Sequence, residues 1–270
     1  MEKLKIGLAL GAGGARGMCH IGVLKALSEN GIEPDIVTGS SMGAVIGGSY
    51  AFGMDLDELT ALARSANNRL IRDFRLKKRW LGLFGGLRVE KLFDRHIGQI
   101  DIRDCKISFA CTAVEVETGK LKVFTSGPLW HAIRASMSIP IIFQPVEIDG
   151  KLYIDGGVLC RVPIPQARDM GADFVIAVDA LGPLPKDVHP KNIVEMTIRW
   201  NDIIDWELSK RKVGNADVLL TPETDRSILD FKKVGDVIDA GYNCAMQNMD
   251  CIKETLKEAR KAMREAEKTK

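Results

Sequence analysis

Short apolar runs alternate with longer segments of helical spacing from the start of the chain. Strands are predicted at residues 5–10, 36–38, 107–116, 121–124, 146–148, 151–154, 174–178 and 218–220. Helices are predicted at residues 20–30, 42–53, 89–96, 129–136, 163–170, 191–212 and 233–268, and one more begins after Asp55. This alternation predicts an α/β fold with a mainly parallel sheet covered on both faces. No linker interrupts the pattern, so a single domain is expected over residues 1–270.

Two stretches of this pattern need a closer interpretation. Residues 36–54 carry no charge, but their five glycines and four serine and threonine side chains are too polar for a membrane span. A buried strand, a tight turn and a buried helix are expected there instead. The last predicted helix has a narrow apolar seam at positions 249, 252, 256, 259, 263 and 266. Such a seam is typical of a helix packed on the body of a protein, with a dimer contact or a membrane-surface helix as alternatives.

The charge balance excludes one class of function. The 270 residues include 38 Lys and Arg against 36 Asp and Glu, a formal net charge of +2. A nucleic-acid binder needs positive charge to neutralise phosphates, so no nucleic-acid partner is expected.

The six cysteines form no short-spaced framework and are expected to be reduced and mostly buried. The first apolar run is too short for a signal peptide, and a cytoplasmic location is expected.

The segment Gly39-Ser40-Ser41-Met42-Gly43 is a GxSxG motif centred on Ser41. This motif requires a strand, a sharp turn and a helix, and a strand and a helix are predicted on its two sides. Gly39 and Gly43 lack Cβ atoms, which would let the backbone turn tightly. Ser41 would then stand at a helix N-terminus, where developing negative charge is favoured. Ser41 is therefore a candidate nucleophile, and the alternative is a plain serine N-cap.

A second glycine-rich loop, Gly11 to Gly17, also lies between a predicted strand and a predicted helix. A dinucleotide-binding GxGxxG does not fit it fully in either frame, and the acid expected about 20 residues later could only be Glu33 or Asp35. Glycine-rich backbone at a helix N-terminus can also form an oxyanion hole. Two such loops on adjacent strands, one of them with a serine, fit acyl transfer better than nucleotide binding.

A nucleophilic serine needs a base, and the sequence offers two kinds. The only histidine in the order of an α/β-hydrolase is His189, which lies in a polar loop and is expected to be exposed. Asp155 ends a predicted strand and is followed by Gly156 and Gly157, which would let another backbone lie close. Asp155 is therefore a candidate base, and the alternative is an Asp-Gly turn of the kind predicted for the hairpin at Asp149-Gly150.

These motifs in this order resemble the patatin-like phospholipase family, in particular its compact bacterial members. The resemblance rests on LGAGGARGMCHIGVLKAL, GSSMGAVIGG, IRASMSIPIIFQPVEIDGKLYIDGGV and VPIPQARDMGADFVIAVDA, and it covers about residues 5–181. It implies a three-layer α/β/α fold and hydrolysis of lipid acyl esters by a Ser–Asp dyad, without histidine, metal or cofactor. The helical segments at about 191–268 follow this motif-bearing part.

The resemblance also implies roles for single residues. Carried over by position, Ser41 is the nucleophile and Asp155 is the proton acceptor. The amides around Gly13, Gly14 and Ala15 would form the oxyanion hole.

Arg16 would fill the basic position of the same glycine loop. Two positions depart from the family pattern. Ala12 stands where the family often has glycine. Arg161-Val162-Pro163, in the loop that follows Asp155, stands where Asn-x-Pro is frequent.

The expected substrate is a phospholipid or another acyl ester. Residues 69–80, RLIRDFRLKKRW, carry six basic residues, one acid and two aromatic residues. They are expected to form either a lid or membrane-contact segment, or a solvated surface helix. A group of apolar side chains is expected in the core or in the wall of an acyl pocket, namely Trp200, Ile203, Ile204 and Trp206. Two other functions remain open, a nucleotide-binding enzyme that uses the Gly11–Gly17 loop and a non-catalytic regulatory protein.

Overall fold

The computed structural model describes residues 3–65, 81–86, 95–184, 186–209, 215–224, 227–228 and 230–268. The lid or membrane-contact segment predicted at 69–80 lies outside these ranges. So do most of the helix predicted at 89–96 and the end, from residue 210, of the helix predicted at 191–212.

The strands are Ile6–Leu10 (β1), Ile36–Ser40 (β2), Gly82–Phe84 (β3), Ser108–Glu115 (β4), Leu121–Phe124 (β5), Ile141–Phe143 (β6), Val146–Ile148 (β7), Lys151–Asp155 (β8), Phe174–Val178 (β9) and Val218–Leu220 (β10). The α-helices are Cys19–Glu29 (α1), Met42–Phe52 (α2), Leu56–Ser65 (α3), Leu129–Ser136 (α4), Ile164–Asp169 (α5), Ile193–Ser209 (α6), Val234–Gln247 (α7) and Met249–Lys268 (α8). Single 3-10 turns occupy Gly14–Met18, Ile102–Asp104 and Gly156–Val158.

The main sheet has the order β10-β9-β1-β2-β4-β8-β7, and β5 also pairs with β4. The five strands from β10 to β4 are parallel, whereas β5, β7 and β8 are antiparallel to their partners. One face packs Leu8, Val37 and Phe109 against α1, α2 and α7, and the other packs Ala9 and Val175 against α5. The prediction of a mainly parallel sheet between two helical layers is confirmed.

The predicted hairpin and the predicted apolar seam are also confirmed. Asp149 and Gly150 both have positive φ, 51° and 74°, as a two-residue turn between β7 and β8 requires. In α8, Met249, Ile252 and Leu256 are buried against the body of the protein.

Two local predictions are wrong. The helix predicted over 233–268 is two helices, because the Asn248 side chain donates to the Cys244 carbonyl oxygen at 2.8 Å and ends α7. The glycine-rich segment at 82–86, for which the hydrophobic pattern predicts no strand, contains β3, which pairs in parallel with β6, a second strand that the pattern did not predict. Each of these two strands has only three residues, which is too few to show a period of two in the sequence.

Of the two placements predicted for Trp200, Ile203 and Ile204, the hydrophobic core does not agree with the structure. Their side chains are 61%, 43% and 39% exposed on the outer face of α6. Buried Asp205 takes the inner face of that helix because it pairs with Arg161.

Gly241 of α7 lies so close to α1 that a Cβ there would be 2.0 Å from the Cys19 carbonyl oxygen. Gly241→Ala is therefore expected to lower the free energy of unfolding by about 1–3 kcal/mol, because the two helices must separate. Gly235→Ala on the same helix is the control, since a Cβ there meets only an Arg64 nitrogen at 3.9 Å. Urea unfolding measures both variants, and equal stabilities would contradict the prediction.

Candidate active site

Ser41 occupies the turn between β2 and α2 in a strained backbone conformation, with φ 54° and ψ −120°. Its side chain is almost buried, at 4% exposure. The predicted need for glycine on both sides is confirmed by the spacing of the backbone. A Cβ at Gly39 would lie 2.5 Å from the Ala44 Cα, and one at Gly43 would lie 2.1 Å from the Leu10 carbonyl oxygen.

The sheet register brings Ser41 and Asp155 together, although 114 positions separate them in the sequence. The end of β2 pairs with β4 at Ser40 and Thr112, and β8 continues along the same edge of β4, with Asp155 opposite Ala113. The Ser41 Oγ donates a hydrogen bond to Asp155 Oδ2 at 2.6 Å. No histidine intervenes between these two side chains.

The Asp155 carboxylate is buried and held in one orientation. Its second oxygen, Oδ1, accepts a hydrogen bond from the Gly157 amide at 2.7 Å. Burial raises the pKa of Asp155 to about 7; the hydrogen bonds from Ser41 and Gly157 oppose this rise, and the nearby negative charge of Asp205 adds to it. Gly156 is needed for the close packing here, since a Cβ there would lie 2.3 Å from the Thr112 carbonyl oxygen.

The glycine loop from Gly11 to Gly17 lies beside these two residues. Gly13 and Gly14 line the same small cavity as Ser41 and Asp155, which has a volume of about 50 Å³. Gly14 has a φ of +53°, which favours glycine. The amides of Gly13 and Gly14 make no hydrogen bond to another residue in the described ranges. They are therefore open donors at the edge of the cavity.

Ala15 differs from its two neighbours. Its amide donates to the Ile228 carbonyl oxygen at 2.8 Å, so this predicted oxyanion donor is occupied. Ile228 also lines the cavity around Ser41, on the side of the glycine loop. The sequence offered no signal for this contact, because Ile228 lies more than 200 positions away in a segment without periodic pattern.

Arg16 does not line the Ser41 cavity. Its guanidinium donates to the Leu181 carbonyl oxygen at 3.3 Å and lines a neighbouring cavity together with Arg161 and Asp202. Arg16 therefore lies outside the cavity that contains Ser41 and Asp155.

A buried ion network behind Asp155 was missed by sequence reasoning. Arg161 binds Asp179 with two hydrogen bonds, at 2.8 and 2.9 Å, and lies 3.3 Å from an Asp205 oxygen. It also donates to the Gly182 carbonyl oxygen. The departure from Asn-x-Pro at Arg161 was the only sign of this network, and the acids that pair with it carry no motif.

Two further polar side chains support the loops at the site. The Ser136 Oγ accepts a hydrogen bond from the Ser41 amide at 2.9 Å, which fixes the turn that carries Ser41. His20 is buried and donates through Nε2 to the Gly11 carbonyl oxygen at 2.8 Å. Burial lowers the pKa of His20 to about 4, so the ring is neutral at physiological pH.

The acids considered for a dinucleotide site lie elsewhere. Asp35 accepts a hydrogen bond from the Ile6 amide at 2.9 Å, at the amino end of β1, whereas the glycine loop follows the carboxyl end of that strand. Glu33 accepts hydrogen bonds from Tyr50 and Ser28. Neither carboxylate is positioned to bind a ribose at the glycine loop.

A larger apolar cavity of about 230 Å³ adjoins the Ser41 cavity and shares six lining residues with it. Ile139, Pro140 and Val158 are among those shared. The outer part is lined by Ile141 and by Trp200 and Ile204 of α6. The predicted placement of Trp200 and Ile204 in the wall of an apolar pocket therefore agrees with the structure.

In the described ranges, no helix is both long enough and apolar enough to cross a membrane.

Comparisons with known proteins agree with this architecture. A family model described as patatin-like phospholipase matches residues 8–168. An uncharacterized NTE family protein of Mycobacterium tuberculosis is 38% identical over 231 residues, which are 84% of this chain and 60% of that protein. A lysophospholipase, nte1, of Neurospora crassa is 27% identical over 92% of this chain and 18% of its own length. The chain thus spans three fifths or less of these relatives. The crystal structure of VipD from Legionella pneumophila shares the fold, with a TM-score of 0.53, 14% identity and coverage of 93% of this chain and 67% of that one.

Proposed function

This chain belongs to the patatin-like phospholipase family, and from that premise we propose that it is a serine hydrolase that cleaves acyl esters of phospholipids or lysophospholipids. The observation that carries the proposal is the 2.6 Å hydrogen bond from Ser41 to a buried Asp155, beside open backbone amides and an apolar cavity.

In the first half of the reaction, the Ser41 Oγ attacks the ester carbonyl carbon as its proton moves to Asp155 Oδ2. The tetrahedral intermediate collapses, the bond from carbon to the leaving oxygen breaks, and Asp155 returns the proton to the departing alcohol. In the second half, Asp155 takes a proton from water, which attacks the acyl group on Ser41. The fatty acid leaves, and Ser41 regains its proton.

An Asp with a pKa near its ordinary value of about 3.9 would be a poor base for a hydroxyl group. The raised pKa of Asp155, about 7, makes this carboxylate a better proton acceptor at neutral pH. The direct contact between Ser41 and Asp155 supports a dyad because the proton needs no carrier.

The Gly13 and Gly14 amides are the proposed oxyanion donors, each contributing on the order of 3 kcal/mol to transition-state stabilisation. The Ala15 amide can join them only when the Ile228 carbonyl moves away. The adjoining apolar cavity is the proposed site for the acyl chain, because it continues from Ser41 between Ile139 and α6.

A fluorophosphonate probe tests the proposal, because it reacts covalently only with an activated serine. We expect wild-type protein to be labelled and Ser41→Ala to lose labelling. Ser40→Ala is the matched control, since the Ser40 Oγ is buried without a hydrogen-bond partner and its removal leaves Ser41 in place. Labelling that persists in Ser41→Ala, or no labelling of the wild type, would contradict the proposal.

A further inference from the structure

The helix α6 turns most of its large apolar side chains toward solvent, while its acid Asp205 is buried against the protein. Two of its large apolar side chains, Ile198 and Trp206, are half-buried. Six others are between 39% and 77% exposed, namely Ile193, Met196, Trp200, Ile203, Ile204 and Leu208. At 100° per residue these positions fall within a single arc of about 140°. Asp205 is buried on the opposite side. The exposed face of α6 is therefore far more apolar than that of an ordinary surface helix, and such a patch is typical of an interaction site.

This exposed face meets the mouth of the apolar cavity. Trp200 and Ile204 belong to the face and also line the cavity. Ile141, on the strand β6, lines the same cavity and is 41% exposed, with an unusual φ of 71° for a β-branched residue. We call Ile141 and the six α6 side chains the apolar rim. The rim borders the opening through which an acyl chain would enter.

The position of the rim indicates which partner covers it. A second protein copy seated on the rim would close the cavity that leads to Ser41. A lipid surface would instead present acyl chains to that opening. Trp200, at the centre of the helical face, is a residue type that prefers the boundary between lipid and water.

The charge of α6 narrows the partner further. The helix holds four acids, at 195, 202, 205 and 207, against the one basic residue Arg199. It therefore offers no attraction for anionic lipid, and binding through the rim would rest on burial of apolar area.

We propose that the apolar rim binds the surface of a neutral phospholipid bilayer and places the cavity mouth against it. The inference rests on the proposed lipid hydrolase function and adds the surface through which the substrate arrives. It differs from the basic segment at 69–80, since contact through the rim is insensitive to salt, whereas contact through basic residues is screened.

Flotation with phosphatidylcholine vesicles tests the proposal. The variant Met196→Ser with Ile203→Ser removes two rim side chains that do not line the cavity. The control, Val116→Ser with Met246→Ser, removes two side chains of similar exposure, 45% and 40%, away from α6. We expect wild type and control to bind equally in 0.1 and 1 M NaCl, where the screening length is about 10 and about 3 Å, and the rim variant to bind at least about tenfold more weakly.

Activity separates this proposal from the proposed function. On a water-soluble short-chain ester, the rim variant is expected to match the wild type, and on vesicles it is expected to lose activity in proportion to binding. A wild type inactive on the soluble ester would refute the hydrolase function, while flotation would still test the rim. Unchanged flotation of the rim variant, or binding confined to anionic vesicles and lost in high salt, would overturn the rim proposal. So would a dimer in lipid-free solution that the rim substitutions dissociate.

Discussion

Asp155→Asn is expected to lower kcat for ester hydrolysis by about 10³–10⁴-fold and to leave the fold intact. The asparagine oxygen can accept the hydrogen bond from the Gly157 amide, and its NH2 group can donate to the Ser41 Oγ, but it cannot take the proton from the Ser41 hydroxyl. Ser41→Ala is expected to lose turnover to the same background level, since the two residues act as a unit.

The pH dependence of the wild type follows from the raised pKa of Asp155. The base must be ionised, so kcat/KM is expected to rise with pH and to level off above about pH 7. The free energy of unfolding has the opposite dependence on pH and falls as pH rises. The folded state disfavours the ionised carboxylate, so a penalty appears as pH rises above the ordinary Asp pKa and is complete above about pH 7.

Asp155→Asn has no such penalty, so its free energy of unfolding is expected to exceed that of the wild type at pH 8 and to match it at pH 3. Urea unfolding at the two pH values measures this difference, and kinetics on a soluble ester measure the loss of kcat. A fully active Asp155→Asn enzyme would exclude Asp155 as the base. If the difference in free energy of unfolding between Asp155→Asn and the wild type did not change with pH, burial would not raise the pKa of Asp155.

Arg161→Met is expected to lower the free energy of unfolding by about 3–5 kcal/mol, because it leaves the carboxylates of Asp179 and Asp205 buried without their cation. Methionine is of similar length, so the loss reflects charge more than packing. The remaining negative charge of Asp205 is also expected to move the acid limb of the pH–rate profile to higher pH, because it raises the pKa of Asp155.

Arg168→Met is the control for Arg161→Met. Arg168 binds Asp217 at 2.5 Å, but both side chains are about one third exposed, and loss of such a pair costs about 1 kcal/mol or less. Chemical unfolding at pH 8 compares the two variants. If both lose the same stability, the Arg161 network contributes no more than a surface ion pair.

The sequence was enough to predict most strands and to single out the candidate residues at the site. Ser41 and Asp155 could be found because each ends a strand and is flanked by glycines. Their meeting could not be derived from spacing, because it depends on β8 taking the edge of β4 directly after β2 ends. That register is a tertiary choice, which local propensity does not determine.

The helix α6 shows a second limit. Periodicity identifies the residues that share a helix face, but it does not say which face is turned to the body of the protein. Trp200 and Ile203 were therefore expected in the core or in the wall of an acyl pocket. The ion pair between Arg161 and Asp205, far apart in the sequence, brings the acidic face inward instead. The Ile228 carbonyl at the Ala15 amide escaped prediction for the same reason.

The strand β1 also has a consequence for how the nascent chain folds. It lies between β2 and β9, and Ile6 pairs with Phe174. One edge of β1 therefore stays unpaired until β9, which is synthesised much later, is available. This edge of β1 can form its hydrogen bonds only after β9 has been synthesised. A fragment that ends at residue 168, where the family match ends, would leave an apolar parallel strand open to other chains. During synthesis, the N-terminal half of this protein therefore exposes an unpaired apolar strand edge, which favours aggregation until β9 is made.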